Sequence, residues 1–405
     1  MKIIKVITIL IIVIFISLTS KSLLPMSSEI DDMEILKLTG LDYIKDEEND
    51  NKASLSFLIE KEEGGSDSSQ KESQSKKQKV LTYKASSFNE AVRSMQFYTD
   101  KTMAGSHVKY FLIGEETAKN DIDKVLDILS KDQEVRLSSN IYIIKDMTAQ
   151  EFLNQAINSE YKLSDMLDNI EKNSGQKTIA KYITISEILS SKLSETEIYL
   201  VPTLEFTSNI EKITETEGGE EETDELTKQF EFYGYAVMKD NKLIDFLDDK
   251  EAIIYNMLIN ESKGGNVDVE NEKGDIVSFG INDITTGYSF RFDDKNNLKQ
   301  VDISLKYRSN FEEVLSKEDI TDIKVLEKYK KMQEDKVKKQ AEELIKKSQE
   351  LNLDIFGIGE KLNVKHPYKD RKIKENFRKN YGSLNIKVKV EADIERTYDT
   401  YQIHK

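Results

Sequence analysis

Histidine and cysteine, which often act as metal ligands, nucleophiles or acid–base groups, are rare or absent in this chain of 405 residues. It contains three histidines, His107, His366 and His404, and no cysteine. A metal site on one helix needs ligands three or four residues apart, and no two histidines have that spacing. Without cysteine there is also no thiolate nucleophile, disulfide or iron–sulfur ligand. The sequence therefore predicts a protein that is not an enzyme and has no metal or cofactor site.

Two further patterns resemble chemical motifs only in part. Gly357 and Gly359 begin like a dinucleotide-binding loop, but Leu362 stands where the third glycine belongs. They favour a turn that follows a helix. The carboxylates of 62–63 and 220–225 lie in polar runs, where nothing would tune them for acid–base catalysis, and they are interpreted as solvated charge.

A basic segment at residues 361–379 is the one candidate functional surface. The chain has 59 Lys and Arg against 75 Asp and Glu, a net charge of −16. This segment is therefore a basic region in a chain that is acidic overall. It could face anionic lipid headgroups or an acidic partner, or it could be a solvated helix face. Two acids, Asp370 and Glu375, lie among its basic residues. Those basic residues are Lys361, Lys365, Lys369, Arg371, Lys372, Lys374, Arg378 and Lys379.

The overall acidity disfavours nucleic acid as a partner, because phosphates are neutralised by locally dominant basic patches. Residues 1–20 predict contact with a membrane instead. Lys2 and Lys5 precede an apolar run from Val6 to Leu18 that is interrupted only by Thr8 and Ser17. The run fits a cleaved signal peptide, and it also reaches the lower limit for an uncleaved anchor helix. A buried core helix is the third interpretation. In the two membrane interpretations the positive end stays inside and the chain from Lys21 onward lies on the outer side.

The elements that would position these residues alternate between strand and helix, which predicts a mixed α/β (α+β) protein with sheets flanked by helices. We predict an N-terminal α/β domain or domains at 28–207 with a mobile loop at 62–79. An acidic linker or insertion follows at 208–228, and a C-terminal α/β domain at 229–400. The predicted strands are 35–43, 54–59, 108–113, 139–144, 230–237, 276–281, 288–292 and 301–307. The predicted helices are 87–99, 117–129, 148–157 and 248–259.

The C-terminal third carries the two longest periodic patterns. A long helix is predicted from a capping box at Ser316 and Asp319 to about Glu350. Its buried side is expected to carry Ile323, Leu326, Val337, Ala341, Leu344 and Ile345. From Leu384 to Ile394 apolar and polar residues alternate strictly, which predicts a strand with one wet face.

Four stretches in order resemble the Ger(x)C family, the C subunits of germinant receptors in endospore-forming bacteria. They are Ser106–Lys119 running into Asp127–Leu153, then Tyr233–Ala252, Leu353–Pro367 and Asn385–Thr397. Two departures are the absence of a cysteine in Ile16–Ser22, where the family is usually lipidated, and the absence of tryptophan near the closing strand, where Phe377 stands in.

The resemblance implies three mixed α/β domains on the outer face of the spore inner membrane. It also implies two partners, the A-type and B-type integral-membrane subunits, and a non-enzymatic role in receptor assembly or signalling. Without cysteine, the N-terminal segment must anchor the chain without lipid. The alternative is a membrane-tethered solute-binding protein of a transport system, which the lack of tryptophan to line a cleft disfavours.

Overall fold

The computed structural model describes most of the chain between residues 33 and 395. The described ranges are 33–45, 51–60, 78–97, 101–159, 162–173, 181–194, 196–207, 229–294, 297–314, 318, 320, 322–367 and 371–395. The strands are β1 Met33–Ile35, β2 Leu38–Lys45, β3 Asn51–Glu60, β4 Gln78–Ala85, β5 Thr102–Ala104, β6 Tyr110–Gly114, β7 Asn140–Ile144, β8 Ile198–Thr207, β9 Gln229–Lys239, β10 Lys242–Leu247, β11 Gly264–Glu270, β12 Ile276–Phe292, β13 Leu298–Val314 and β14 Asn385–Ile394. The helices are α1 Phe88–Gln96, α2 Glu115–Asn120, α3 Ile122–Lys131, α4 Ala149–Ala156, α5 Leu163–Asn173, α6 Ile185–Lys192, α7 Asp249–Ile259, α8 Ile323–Glu350, α9 Ile358–Lys365 and α10 Arg371–Asn380.

The larger sheet has the strand order β10-β9-β8-β7-β6-β2-β3-β4. Its centre is parallel, since β2 pairs with β6, β6 with β7 and β7 with β8 in that sense. Every residue of β6 and β7 is buried, as expected of parallel strands that are covered on both faces. Helices α1, α3 and α6 pack on one face of the sheet, and α4 and α5 pack on the other.

The smaller sheet has the order β11-β12-β13-β14. Its first three strands are antiparallel neighbours, and β14 returns after α8, α9 and α10 to pair in parallel with β13. The long helix α8 lies across this sheet through Tyr329, Val337 and Ala341, all of which are fully buried. A parallel return of this kind needs a long helical crossover, and α8 is the main part of it.

Two strands that follow the acidic 208–228 segment complete the larger sheet rather than the smaller one. Antiparallel β9 pairs with β8, and β10 pairs with β9. The domain boundary predicted at 208–228 therefore cuts across one sheet. The other face of these strands, through Tyr235, Val237 and Leu247, belongs to the same apolar core as α7, α8 and the smaller sheet.

The mixed α+β class predicted from the sequence is confirmed, while several local predictions need correction. The helix predicted at 117–129 is two helices that meet at Asp121. The strands predicted at 276–281 and 288–292 are one strand, β12, with an irregularity between Asn282 and Thr285. The mobile loop predicted at 62–79 overlaps β4, which begins at Gln78; residues 62–77 and 208–228 lie outside the described ranges.

The start of the long helix was also predicted wrongly. Helix α8 begins at Ile323, and its N-cap is Asp322, whose side chain accepts a hydrogen bond from the Lys324 amide. Ser316 and Asp319 lie outside the described residues, and Ile323 is 57% exposed rather than buried.

No helix in the described part of the chain combines the length and apolar character needed to cross a bilayer. The predicted membrane segment, residues 1–20, lies outside that part.

Candidate functional site

The basic segment, residues 361–379, spans α9 and α10. Lys361 and Lys365 belong to α9, and Arg371, Lys372, Lys374, Arg378 and Lys379 belong to α10. Lys369, and the side chains of Arg371, Lys372 and Lys374, lie outside the described residues. Arg378 and Lys379, at the end of α10, are exposed.

A buried carboxylate fixes the position of α9. The Asp354 Oδ1 atom accepts a hydrogen bond from the Ile358 amide at 2.8 Å, and Oδ2 accepts one from the Gly359 amide at 2.7 Å. Burial raises the pKa of this carboxyl above its ordinary value, and the two amides oppose that effect. Gly357 has φ = 63° between α8 and α9, so the turn after a helix that its position predicted is present.

The aromatic side chain of Phe377 packs α10 against α9. Phe377 is buried and stacks edge-on against Tyr381 at 5.6 Å. A Cβ atom on Gly359 would lie 2.9 Å from the Phe377 ring, so the glycine permits this close packing. The Tyr381 hydroxyl and Ser348 Oγ are 2.6 Å apart, which joins the 3₁₀ turn after α10 to the end of α8.

The two lysines of α9 turn toward the protein rather than toward solvent alone. The Lys361 ammonium donates to the Phe356 carbonyl at 2.6 Å and lies 5.0 Å from the centre of the Tyr288 ring. Burial lowers its pKa, and the nearby carboxylates of Asp354, Glu360 and Glu261 only partly oppose that effect. Lys365 Nζ donates to the Tyr288 carbonyl. Two of the eight basic residues are therefore engaged with β12.

A cleft of about 570 Å³ opens beside Lys361, where the two sheets meet. Helix α6 and the start of β8 form one wall, and the other wall contains α7 and residues 354–361. Tyr199, Tyr235, Tyr255 and Phe356 line it. The aromatic side chains of this cleft are tyrosine and phenylalanine. The prediction from the sequence considered only tryptophan as an aromatic lining and therefore missed it.

A second cavity, of about 870 Å³, lies at the carboxyl ends of β2, β6 and β7. Open α/β sheets often bind anions at this position. Here the buried Asp42 carboxylate occupies it, and accepts hydrogen bonds from the amides of Gly114 at 3.0 Å, Ala149 at 3.2 Å and Gln150 at 3.1 Å. Burial raises the pKa of Asp42 to about 6, although these amides oppose the shift. The chain's own carboxylate thus takes the place of a ligand.

The structure keeps the histidines that it describes apart. His107 is exposed in a single 3₁₀ turn, and His366 packs edge-on against Phe290 at 5.8 Å and Phe292 at 5.2 Å. His404 lies outside the described residues. No group of three or more potential metal ligands occurs within those residues.

Comparison with known families covers both halves of the chain. Residues 27–205 match the family model described as the spore germination protein N-terminal domain. Residues 233–398 match the model described as spore germination B3/GerAC like, C-terminal. The chain belongs to the Ger(x)C family of spore germination proteins. The four stretches that suggested this family from the sequence all contribute to the two matched regions.

Individual relatives of this Ger(x)C protein agree with that assignment. Spore germination protein KC of Bacillus subtilis (strain 168) is 23% identical over 331 residues, which cover 78% of each chain. The crystal structure of the GerBC protein superposes with a TM-score of 0.55 at 17% identity and covers 88% of this chain and 97% of that one. At these identities the superposition shows a shared fold.

Sequence reasoning missed Asp354 and the aromatic cleft of this Ger(x)C protein. Asp354 carried a weak signal, because an acidic residue three positions before Gly357 can cap the helix that follows a turn. The cleft carried none, since its walls come from segments more than 150 residues apart in the chain, such as Tyr199 and Phe356.

Proposed function

We propose that this chain is a non-enzymatic subunit of a spore nutrient (germinant) receptor and acts in receptor assembly or signalling. The observation that carries the proposal is the order and extent of the two germination-family domains, at 27–205 and 233–398. The similarity in fold to nearly all of the GerBC chain supports it further.

A role through protein contacts suits the way the molecule is held together. Strands β9 and β10 share an apolar core with α7, α8 and the smaller sheet. Lys347 of α8 also donates to the Phe246 carbonyl of β10 at 2.7 Å and to Glu251 of α7 at 2.8 Å. A body joined by both packing and hydrogen bonds is suited to transmit a displacement from one docking surface to another.

The partners we propose are the A-type and B-type integral-membrane subunits, at the outer face of the spore inner membrane. Residues 1–20 would anchor the chain there without lipid, because it has no cysteine. The basic segment is the proposed docking surface. Its support is the exposure of Arg378 and Lys379 on a helix whose neighbouring side chain, Phe377, is buried. Complementary charge orients such encounters more than it adds affinity.

The docking surface is tested by reversing four charges, Lys369→Glu, Arg371→Glu, Lys372→Glu and Lys374→Glu together. We expect less of the variant to be recovered with the membrane subunits when they are captured from spore inner-membrane fractions, because reversed charge repels an acidic partner or headgroup. The control reverses four lysines of α8, Lys324, Lys331, Lys338 and Lys339, which are exposed. Equal recovery of the two variants at wild-type level would contradict the docking role of the basic segment.

The receptor function itself is tested by deleting the gene in its parent spore-former. Spores without it should lose the response to at least one nutrient and still germinate by routes that bypass nutrient receptors. A normal nutrient response in a strain with no redundant receptor would contradict the proposal. It would favour the alternative of a membrane-tethered solute-binding protein of a transport system.

A further inference from the structure

The cleft at the junction of the two sheets has the size of a small-molecule site and contains several aromatic side chains. Its volume of about 570 Å³ lies within the usual range for such sites, roughly 300–1,000 Å³. Tyr255 forms its aromatic floor, with ring centres 5.6 Å from Tyr235 and 6.2 Å from Phe356. The Tyr235 hydroxyl is already used, because it donates to Asn256 and accepts from the Lys181 amide. The walls offer ring surface to a ligand beside polar groups such as Ser186, Ser190 and Thr196.

One cation in the cleft lacks an opposite charge at contact distance. Lys361 is partly buried, and its ammonium has three donors. Of its contacts one is a hydrogen bond to the Phe356 carbonyl and another is the approach to the Tyr288 ring. Within the described ranges no carboxylate forms a salt bridge with it. Removing an ammonium from water without an ionic partner is unfavourable, so the site gains from an added anion.

The carboxylates along the cleft are occupied in other ways. Asp354 accepts from the amides of Ile358 and Gly359, and Glu261 pairs with Lys181 at 3.1 Å. Glu187 accepts from the amide and hydroxyl of Thr184 at the start of α6. Glu360 is exposed at the first turn of α9. Within the described residues of this region, Lys361 is therefore the cation whose charge a ligand carboxylate would neutralise.

We propose that this cleft binds a small organic carboxylate, with its carboxylate on Nζ of Lys361 and its apolar or aromatic body against Tyr255 and Phe356. The site is distinct from the proposed docking surface on α10, and it does not depend on the receptor role. A bound ligand would contact the wall formed by α6 and the start of β8 and the wall formed by α7 and residues 354–361, so its binding would stabilise their association.

The test compares two probes of the same shape on the full chain in detergent by isothermal titration calorimetry. 3-Phenylpropionate carries the carboxylate, and 3-phenylpropanamide replaces it with a neutral amide. We expect the acid to bind at least about tenfold more tightly than the amide, a difference of about 1.4 kcal/mol. Equal binding of the two probes, or no binding of either, would overturn the proposal. Both measurements use the wild-type protein, so the result does not depend on the folding of a variant.

A pair of variants assigns the binding to the proposed residue. Lys361→Met keeps the apolar stem and removes the charge, so the preference for the acid should disappear. Lys365→Met removes a lysine one turn further along the same helix and should keep the preference. If Lys361→Met still prefers the acid as the wild type does, the carboxylate is bound elsewhere and the assignment fails.

Discussion

Two buried aspartates accept hydrogen bonds from the free amides at helix N-termini, as bound anions do in other α/β proteins. Asp42 and Asp354 are both buried, with 1% and 8% of their surface exposed, and each accepts hydrogen bonds from amides at the start of a helix. Helix N-termini attract negative charge through their free amides and dipole. Gly114 is needed at the first site, because a Cβ atom there would lie 2.5 Å from Asp42 Oδ1. Asp42 connects its helix to a strand more than 100 residues earlier in the chain, whereas Asp354 lies just before the helix whose amides it accepts from.

The pKa of Asp42 predicts a specific pH dependence of stability. Burial raises it from 3.8 to about 6, so the native state holds this proton more tightly than the unfolded chain does. The free energy of unfolding should therefore fall as pH rises from about 4 to 6, by up to about 3 kcal/mol from this group.

Asp42→Asn removes that titration. The difference in unfolding free energy between wild type and variant, measured in urea from pH 4 to 7, should shift in favour of the variant as pH rises. Asp127→Asn, an exposed helix carboxylate paired with Lys131, controls for general charge effects. A difference for Asp42→Asn that is constant with pH would show that the carboxylate is not held in the way described.

The alternating sequence of β14 predicts the strand, but its apolar face is buried only because α8 packs against it. Its alternating residues place Val388, Val390 and Ala392 in the core beneath α8, while Lys387 and Lys389 are exposed. On its outer edge the Ala392 amide donates to Glu334 of α8 at 3.0 Å. Lysines and a side-chain acceptor on an edge strand also discourage pairing with other chains.

The register of β14 is tested by placing the same charge on both faces. Val388→Asp should lower the free energy of unfolding by at least about 2 kcal/mol, because the carboxylate would be buried without a partner. Lys387→Asp, one residue earlier on the wet face, should change it by less than about 1 kcal/mol. Chemical denaturation measures both, and equal losses would place the strand in a different register.

In the described part of the chain, the eight-stranded and the four-stranded sheet are joined through one shared core, and β1 and β5 form a separate two-stranded sheet. Besides the apolar contacts of Tyr235, Val237 and Leu247, the junction contains Lys347, whose ammonium reaches β10 and α7. The aromatic cleft opens at the same junction. The larger and smaller sheets should therefore unfold as one cooperative unit within the described part of the chain.

Lys347→Met tests this coupling. It removes hydrogen bonds to the Phe246 carbonyl and Glu251, so we expect the free energy of unfolding to fall by about 1–3 kcal/mol. We also expect probes placed in the two sheets to report separate unfolding transitions. Lys346→Met, the adjacent exposed lysine that pairs only with Glu350 in the same helix, should leave a single transition. Coincident transitions in the Lys347 variant would assign the coupling to the apolar core alone.

The sequence by itself determined the features that depend on neighbours in the chain. Alternation over 384–394 predicted β14, and residues 248–259 predicted α7 almost to the residue, because Asp248 and Glu251 form its capping box. The family was also evident, since its four stretches keep their order. The mixed α+β class followed from the alternation of strand and helix patterns.

Tertiary structure alone decided how distant segments meet. The sequence assigned β9 and β10 to the second domain, because composition changes at 208–228. The structure shows that β9 pairs with β8 and β10 pairs with β9, so both strands extend the larger sheet. Likewise, Lys361 looked like one more cation of a basic surface, and only the approach of Phe356 and Tyr288 turns it toward a cleft. Periodicity records which face of an element is apolar, but the identity of the neighbour on that face depends on contacts between residues far apart in the chain.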